Sequence, residues 1–300
     1  MKQKPVTIRR KTTLLQKLIV VPYSVWGTLF ILVPLIFIAY YAFTDNDYKF
    51  TFDNLANFFT TKSMIVSESG EEKEVFTYLL IFWRSFKLAL ISTAVCLVFG
   101  YPLAYIMARS TKNVQRTMMM LVMLPMWMNL LIRTYSLMIL LQDTGILNSL
   151  FSALHLPKLH MINTEGAVIL GMVYNYIPYM ILPLYSIMSK IDHGLIEAAQ
   201  DLGANKVSVL RKIILPLSLP GIASGFTMVF VPSVSTFYIS KKLGGSTFSL
   251  IGDIIEMQFK SANNYNLGAA LSLVLMVLII ICMAIMNRFT GEDDDGGVLI

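Results

Sequence analysis

The sequence predicts an all-α, polytopic membrane protein with six transmembrane helices, and three observations carry that reading. Of 300 residues, 56% are hydrophobic and only 14% charged, with a mean hydropathy of +0.65, far from the balance of a soluble globular chain. The apolar residues fall in long unbroken runs, not in the alternation a β-barrel would need. The charged residues gather between those runs. Crossing a ~30 Å hydrocarbon core takes roughly 20 mostly apolar residues, and there every backbone group must be bonded within the segment, as in a helix.

Six windows meet the requirement: residues 18–43, 87–107, 117–141, 166–188, 220–239 and 267–286. The first is longer than the ~7–15-residue apolar stretch of a signal peptide and has no small-residue cleavage site, so it reads as a retained helix. Residues 1–17 form a basic arm suited to an anionic membrane surface, residues 18–288 the transmembrane domain, and residues 289–300 a tail. Several windows carry a proline, Pro34, Pro102, Pro125, Pro178, Pro183 and Pro232, which either kinks its helix or is accommodated by neighbours. Gly221 and Gly225, four apart, suit close helix–helix approach. Cys96 and Cys282 lie inside windows and suit apolar packing.

Charge gives the orientation. Lys2, Lys4, Arg9, Arg10, Lys11 and Lys17 precede the first window; Arg109, Lys112 and Arg116 follow the second; Lys190, Lys206, Arg211 and Lys212 follow the fourth. The positive-inside rule places these segments, and with an even helix number both termini, in the cytoplasm. The connection from Thr44 to Phe82 is acidic and faces outside. Within it Phe50, Phe52, Leu55, Phe58 and Phe59 are too apolar to be wholly solvated. The net charge of +6 thus follows from topology and calls for no nucleic-acid partner; the expected surrounding is a cell membrane.

The segment 190–219 is polar and helix-forming between two apolar windows. Asp192 is a suitable N-cap, Glu197 favours the helix dipole, and Gly203 ends a first short helix of about 194–202 as a positive-φ residue. A second helix, about 206–214, stops before Pro216, and Ser218 and Pro220 open the fifth span. Leu195, Leu202, Val207, Leu210 and Ile213 supply apolar faces, with Glu197, Asp201, Arg211 and Lys212 around them. On physics alone such an element either docks a soluble partner or rests on the bilayer.

Glu197, Ala198, Ala199, Gly203, Ile213, Leu215 and Pro216 meet the pattern Glu-Ala-Ala, three residues, Gly, nine residues, Ile-x-Leu-Pro. This resembles the signature loop of the permease subunits of type I ABC importers, in the expected slot before the penultimate span. The resemblance implies a type I importer permease fold, with the loop as a coupling helix seated in a groove of an ATP-hydrolysing subunit. Glu197 and Gly203 would engage that subunit most directly. The runs Gly100-Tyr101-Pro102-Leu103-Ala104-Tyr105, Leu131-Ile132-Arg133-Thr134-Tyr135, Leu243-Gly244-Gly245 and Leu267-Gly268-Ala269-Ala270-Leu271 are similar to the spermidine/putrescine branch, and within it to the first permease of the pair. The implied partners are a second permease forming a heterodimer, two ATPase subunits holding ATP and Mg, an extracytoplasmic solute-binding protein and the bilayer, in a bacterial plasma or inner membrane. Related branches importing other small solutes share some of these runs.

No phosphate-binding Gly-x-x-x-x-Gly-Lys-Ser/Thr motif occurs, and the three histidines, His155, His160 and His193, form no metal-ligand pattern, so no catalytic or metal residue is expected. A polyamine would need aromatic faces and oxygen acceptors. The fourth window supplies Tyr174, Asn175, Tyr176 and Tyr179; Trp127, Asn129 and Tyr135 of the third and Ser233, Ser235, Thr236, Phe237 and Tyr238 of the fifth are further candidates, all equally readable as packing or interfacial residues. Arg133, counted from residue 117, sits ~24 Å along its window at 1.5 Å per residue, nearer the outer face. An intramembrane cation is a functional candidate, but it repels a polycation, so a structural pairing with Asp143 is expected instead. Lys241 and Lys242 also stand against a polycation, whereas the acidic outer loop would attract one. An ion-coupled secondary transporter would place acids at mid-membrane, and an embedded enzyme would need a Ser/His set or paired carboxylates; the windows offer neither.

Overall fold

The structure, a computed structural model, describes residues 14–45, 47–66, 72–245 and 249–290. Residues 1–13 of the basic arm, Glu68 and Glu71 of the acidic loop, and the acidic tail lie outside the described residues. In chain order the elements are α1 (Leu14–Gly27), a π-helical turn (Thr28–Leu32), α2 (Val33–Ala42), α3 (Asp53–Thr60), β1 (Lys62–Val66), β2 (Glu72–Phe76), α4 (Thr77–Arg109), α5 (Lys112–Met123), a 3-10 turn (Leu124–Trp127), α6 (Leu130–Leu141) and α7 (Ile146–Ala153). There follow α8 (Glu165–Met188), α9 (His193–Asp201), α10 (Lys206–Val209), a π turn (Leu210–Ile214), α11 (Leu215–Leu217), α12 (Leu219–Val234), a π turn (Ser240–Gly244), α13 (Ile251–Lys260) and α14 (Tyr265–Thr290).

Among the described residues, five helices are long and apolar enough to cross a membrane: Val21–Ala42, Thr77–Arg109, Leu130–Ala153, Glu165–Met188 and Tyr265–Met286. Counted as one span, the pair Lys206–Leu217 and Leu219–Val234, bent by 65°, makes a sixth. The core is α4, α8 and α12, packed on one another through Leu88, Cys96, Met107, Met172, Met180, Leu184 and Val229. The glycines of α12 explain the close fit. A Cβ at Gly225 would stand 2.7 Å from Met180 Sδ, and one at Gly221 would stand 3.1 Å from Ile187 Cγ1. The two ends of the core are distinct. Gln115 donates to the Ala108 and Ser110 carbonyls and accepts from the Tyr185 hydroxyl. These bonds bring the basic 109–116 connection and the 190–212 segment to one end, here the charged-loop end. At the far end Arg84 Nε and Lys87 Nζ reach Glu165 at 3.8 and 3.7 Å.

Four expectations change. The second helix begins at Thr77, ten residues before the window; Arg84 and Lys87, the charges at the window's edge, lie within that helix and face Glu165 of α8. The third window, 117–141, is broken. Pro125 has no amide to continue the helix, the chain tightens into a 3-10 turn, and Asn129 starts α6 by accepting from the Leu131 amide at 2.8 Å. The fifth ends at Val234 rather than 239, two residues after Pro232. The all-α reading gains an exception: β1 and β2 pair antiparallel, Lys62 opposite Phe76 and Val66 opposite Glu72. In the acidic connection Phe58 is buried edge-on against Phe82, whereas Phe50, Phe52 and Phe59 are exposed.

Candidate functional site

Asp192 caps α9 by accepting from the Gly194 amide at 3.0 Å. Gly203 closes the helix with φ +85°: its amide donates to the Gln200 carbonyl at 2.8 Å and the Ala204 amide to that of Ala199 at 3.0 Å. Asn205 then caps α10 through the Ser208 amide at 2.7 Å. Two short helices joined by a positive-φ glycine result, as the residues required, except that the second runs through Pro216 to Leu217 as a π turn and a short α-helix. Glu197, Ala198 and Pro216 are exposed, Ala199 and Ile213 half-buried. Leu195, Val207, Leu215 and above all Leu202, 89% exposed, present apolar surface away from the rest of the chain. Val209 and Ile214 turn inward and anchor the segment.

In the middle of the bundle a polar cluster lies between α6 and α8. Asn175, fully buried, donates its amide to the Gly171 carbonyl at 2.9 Å and to Thr134 Oγ1 at 3.2 Å, which leaves its Oδ1 without a partner among the described residues. Tyr176 directs its hydroxyl toward the Pro232 carbonyl at 3.5 Å, and its ring lies 6.4 Å from that of Tyr179. Arg133 is 3% exposed, and its Nε and Nη1 have no hydrogen-bond partner among the described residues. One expectation about Arg133 is overturned: it does not pair with Asp143, whose carboxylate lies 3.0 Å from His160 Nδ1 in an exposed pair. Its neighbour Thr134 touches Asn175 near the midpoint of α8, and the break at Met128–Asn129 removes the basis of a count from residue 117.

The remaining candidates do not converge on this cluster. Tyr174 and Tyr135 are exposed on other faces, and Trp127, in the 3-10 turn, is 84% exposed. Asn129 is engaged in its cap. Phe237 follows the end of α12 and lines an apolar groove with Ile255, Phe259, Leu275 and Ile279. Tyr238 lies under the Lys242 ammonium, 5.9 Å from the ring centroid.

The far end holds a feature that sequence reading missed. A cavity of about 460 Å³ is lined by Lys241, Gly245, Ser249, Asp253, Ile254, Glu256, Met257, Lys260 and Ser261. Glu256 pairs with Lys260 at 2.9 Å and Lys241 at 3.6 Å, so Lys241, which read as an obstacle to cations, is matched by an acid. Asp253 accepts from the Leu250 amide at 2.8 Å and bonds Ser240 Oγ at 3.0 Å. Burial pushes its carboxyl up to about 6, against the lowering effect of those two bonds. The available signal was the amphipathic run 251–260, whose acids three apart share one face.

A bundle of spanning helices, a broken helical hairpin exposed at one end and a charged cavity at the other define a membrane-embedded transport component. Residues 100–290 match the binding-protein-dependent transport system inner membrane component family, and the chain belongs to it. It is similar to the spermidine/putrescine transport system permease protein PotB of Haemophilus influenzae, 34% identical over 91% of this chain and 93% of that protein. The PotB of Escherichia coli is 39% identical over 67% of this chain and 74% of its own length. The fold is shared with a permease chain of a bacterial alginate ABC transporter solved with an alginate-bound periplasmic protein, with a TM-score of 0.69 at 18% identity, covering 95% of this chain and 96% of that one. The chain is a multi-pass inner-membrane permease component; it is not a catalyst.

Proposed function

We propose that the chain forms one half of the translocation path of a heterodimeric ATP-driven importer and docks an ATPase subunit through residues 190–219. The observation that carries this is the α9–Gly203–α10 hairpin, whose apolar Leu195, Leu202 and Val207 face away from the bundle. Fully burying one such leucine is worth ~1.5–3 kcal/mol, so a partner groove gains from covering them. Glu197, Ala198 and Ala199 lie on that exposed helix, and the small alanines let a partner approach the backbone. ATP and Mg belong to the ATPase subunits. A binding protein delivers solute at the far end, and both termini lie with the hairpin on the cytoplasmic side.

The cargo we infer is a polyamine, on the strength of relatives whose names state spermidine/putrescine transport. Asn175 Oδ1, buried and unpartnered, is a ready acceptor for an ammonium, and the Tyr176–Tyr179 pair offers ring faces worth up to ~2 kcal/mol each when desolvated. Arg133 favours a second reading, a different small solute bearing an acidic group, because a buried guanidinium attracts anions. The test is ATP hydrolysis by the assembled complex in lipid, with its binding protein and a panel of solutes. Stimulation confined to spermidine or putrescine supports the polyamine reading; stimulation by another solute keeps the importer and replaces the cargo.

A further inference from the structure

The charged hairpin is fastened to the bundle at a bend, and the fastening is a side-chain bridge. The 65° break between Lys206–Leu217 and Leu219–Val234 falls at Ser218, which is fully buried. Its position follows from the flanking prolines: Pro220 has no amide to offer the Pro216 carbonyl, so the helical ladder cannot run straight through. The Ser218 hydroxyl donates to the Leu215 carbonyl at 3.0 Å. A hydroxyl has one proton, so in its 3.0 Å contact with Tyr101 Oη the tyrosine is the donor and Ser218 the acceptor. Tyr101 belongs to α4, one residue before Pro102, and packs against the main core.

The same helix makes a second buried contact at its other end. Ser85 Oγ accepts from the Ile251 amide at 2.8 Å while donating to the Ile81 carbonyl at 2.9 Å. That amide opens α13, the helix carrying Asp253 and Glu256 into the far-end cavity. Ser85 and Tyr101 are sixteen residues apart, ~24 Å of continuous helix at 1.5 Å per residue. One rigid element therefore touches the bend of the hairpin at one end and the wall of the cavity at the other.

We propose that the Tyr101–Ser218 hydrogen bond is the joint through which displacement of the hairpin reaches α4, and that α4 carries it to α13 through Ser85. Tyr101 is thus a positioning residue. The inference rests on the docking role of the hairpin. The experiment places a cysteine at Ser249, in the cavity wall, and follows its labelling by a membrane-impermeant maleimide in the assembled complex, with and without ATP and vanadate. A nucleotide-dependent change in labelling is expected in the Ser249→Cys background. Tyr101→Phe, which removes the donor and keeps the ring, should reduce that change about fivefold, the factor one net hydrogen bond is worth, with basal ATP hydrolysis unaltered. Ser218→Ala should reduce the labelling change by the same factor, Ser218→Thr should retain the response, and combining Tyr101→Phe with Ser218→Ala should add nothing.

An undiminished response in Tyr101→Phe, or additive losses in the double variant, would overturn the joint while leaving the docking role intact. No nucleotide response even with Tyr101 and Ser218 unaltered would overturn the docking role itself.

Discussion

At the residue scale the far-end cavity shows how burial sets a charge. Asp253 sits with its carboxyl against the Leu250 amide and Ser240 hydroxyl, yet desolvation prevails and lifts it to about 6, with Glu256 adding to the rise and Lys241 opposing it. Its unfolded value is ~3.9. Between about pH 4 and 6 the folded chain holds the extra proton, so this group's contribution favours folding in acid and is lost as pH rises through about 6. Asp253→Asn keeps an acceptor for Leu250 and has no charge to lose. The difference in Tm, unsubstituted protein minus Asp253→Asn, should therefore decline from about pH 4.5 to about pH 7.5. A rising difference would mean the carboxylate is stabilised by its partners more than it is penalised by burial.

At the scale of elements, packing decides what propensity leaves open. The α13 N-terminus lies against the chain leaving α12 so closely that a Cβ at Gly252 would be 2.5 Å from the Thr236 carbonyl oxygen and 2.6 Å from that of Ser235. Backbone cannot step aside as a side chain can. Gly252→Ala should destabilise the protein by ~1–3 kcal/mol, read as a lower Tm in detergent, whereas Gly27→Ala, which meets nothing within 4 Å, should be neutral or stabilising. Equal Tm values for the two would remove the close contact. The same scale explains what was legible beforehand. The first helix of the hairpin could be read because its stops are local, an Asp cap and a positive-φ glycine, whereas the expected stop before Pro216 did not hold: the second helix runs on to Leu217. The broken third window could not be read, because Pro102, Pro178 and Pro183 lie in helices that continue while Pro125 ends one. Asn129 marks the restart only once its side chain is seen on the Leu131 amide.

At the scale of the whole molecule the hairpin is the part left to be covered. Gly203 requires φ +85°, which proline, fixed near −65°, cannot adopt. Gly203→Pro should leave membrane insertion unchanged, since the loop lies outside the spans, and reduce solute-stimulated ATP hydrolysis of the complex to below about a tenth, the scale expected when docking loses ~1.4 kcal/mol or more. Normal stimulation would exclude the hairpin as the coupling element.

Composition and periodicity by themselves determined that this chain spans a membrane as helices, since an apolar run in lipid has no other way to bond its backbone. Asp192 and Gly203 likewise determined where the first helix of the hairpin starts and stops, because caps and glycine act over three or four residues. Only tertiary structure decided which side chains meet. Arg133 was expected to pair with Asp143, but His160 holds that acid, and Arg133 is buried with its Nε and Nη1 unpartnered among the described residues. Lys241 looked like an isolated cation until α13 brought Glu256 to it. Such pairs join residues fifteen or more apart, and their geometry is fixed by how loops and helices fold back on one another, which a pattern acting over three or four residues does not record.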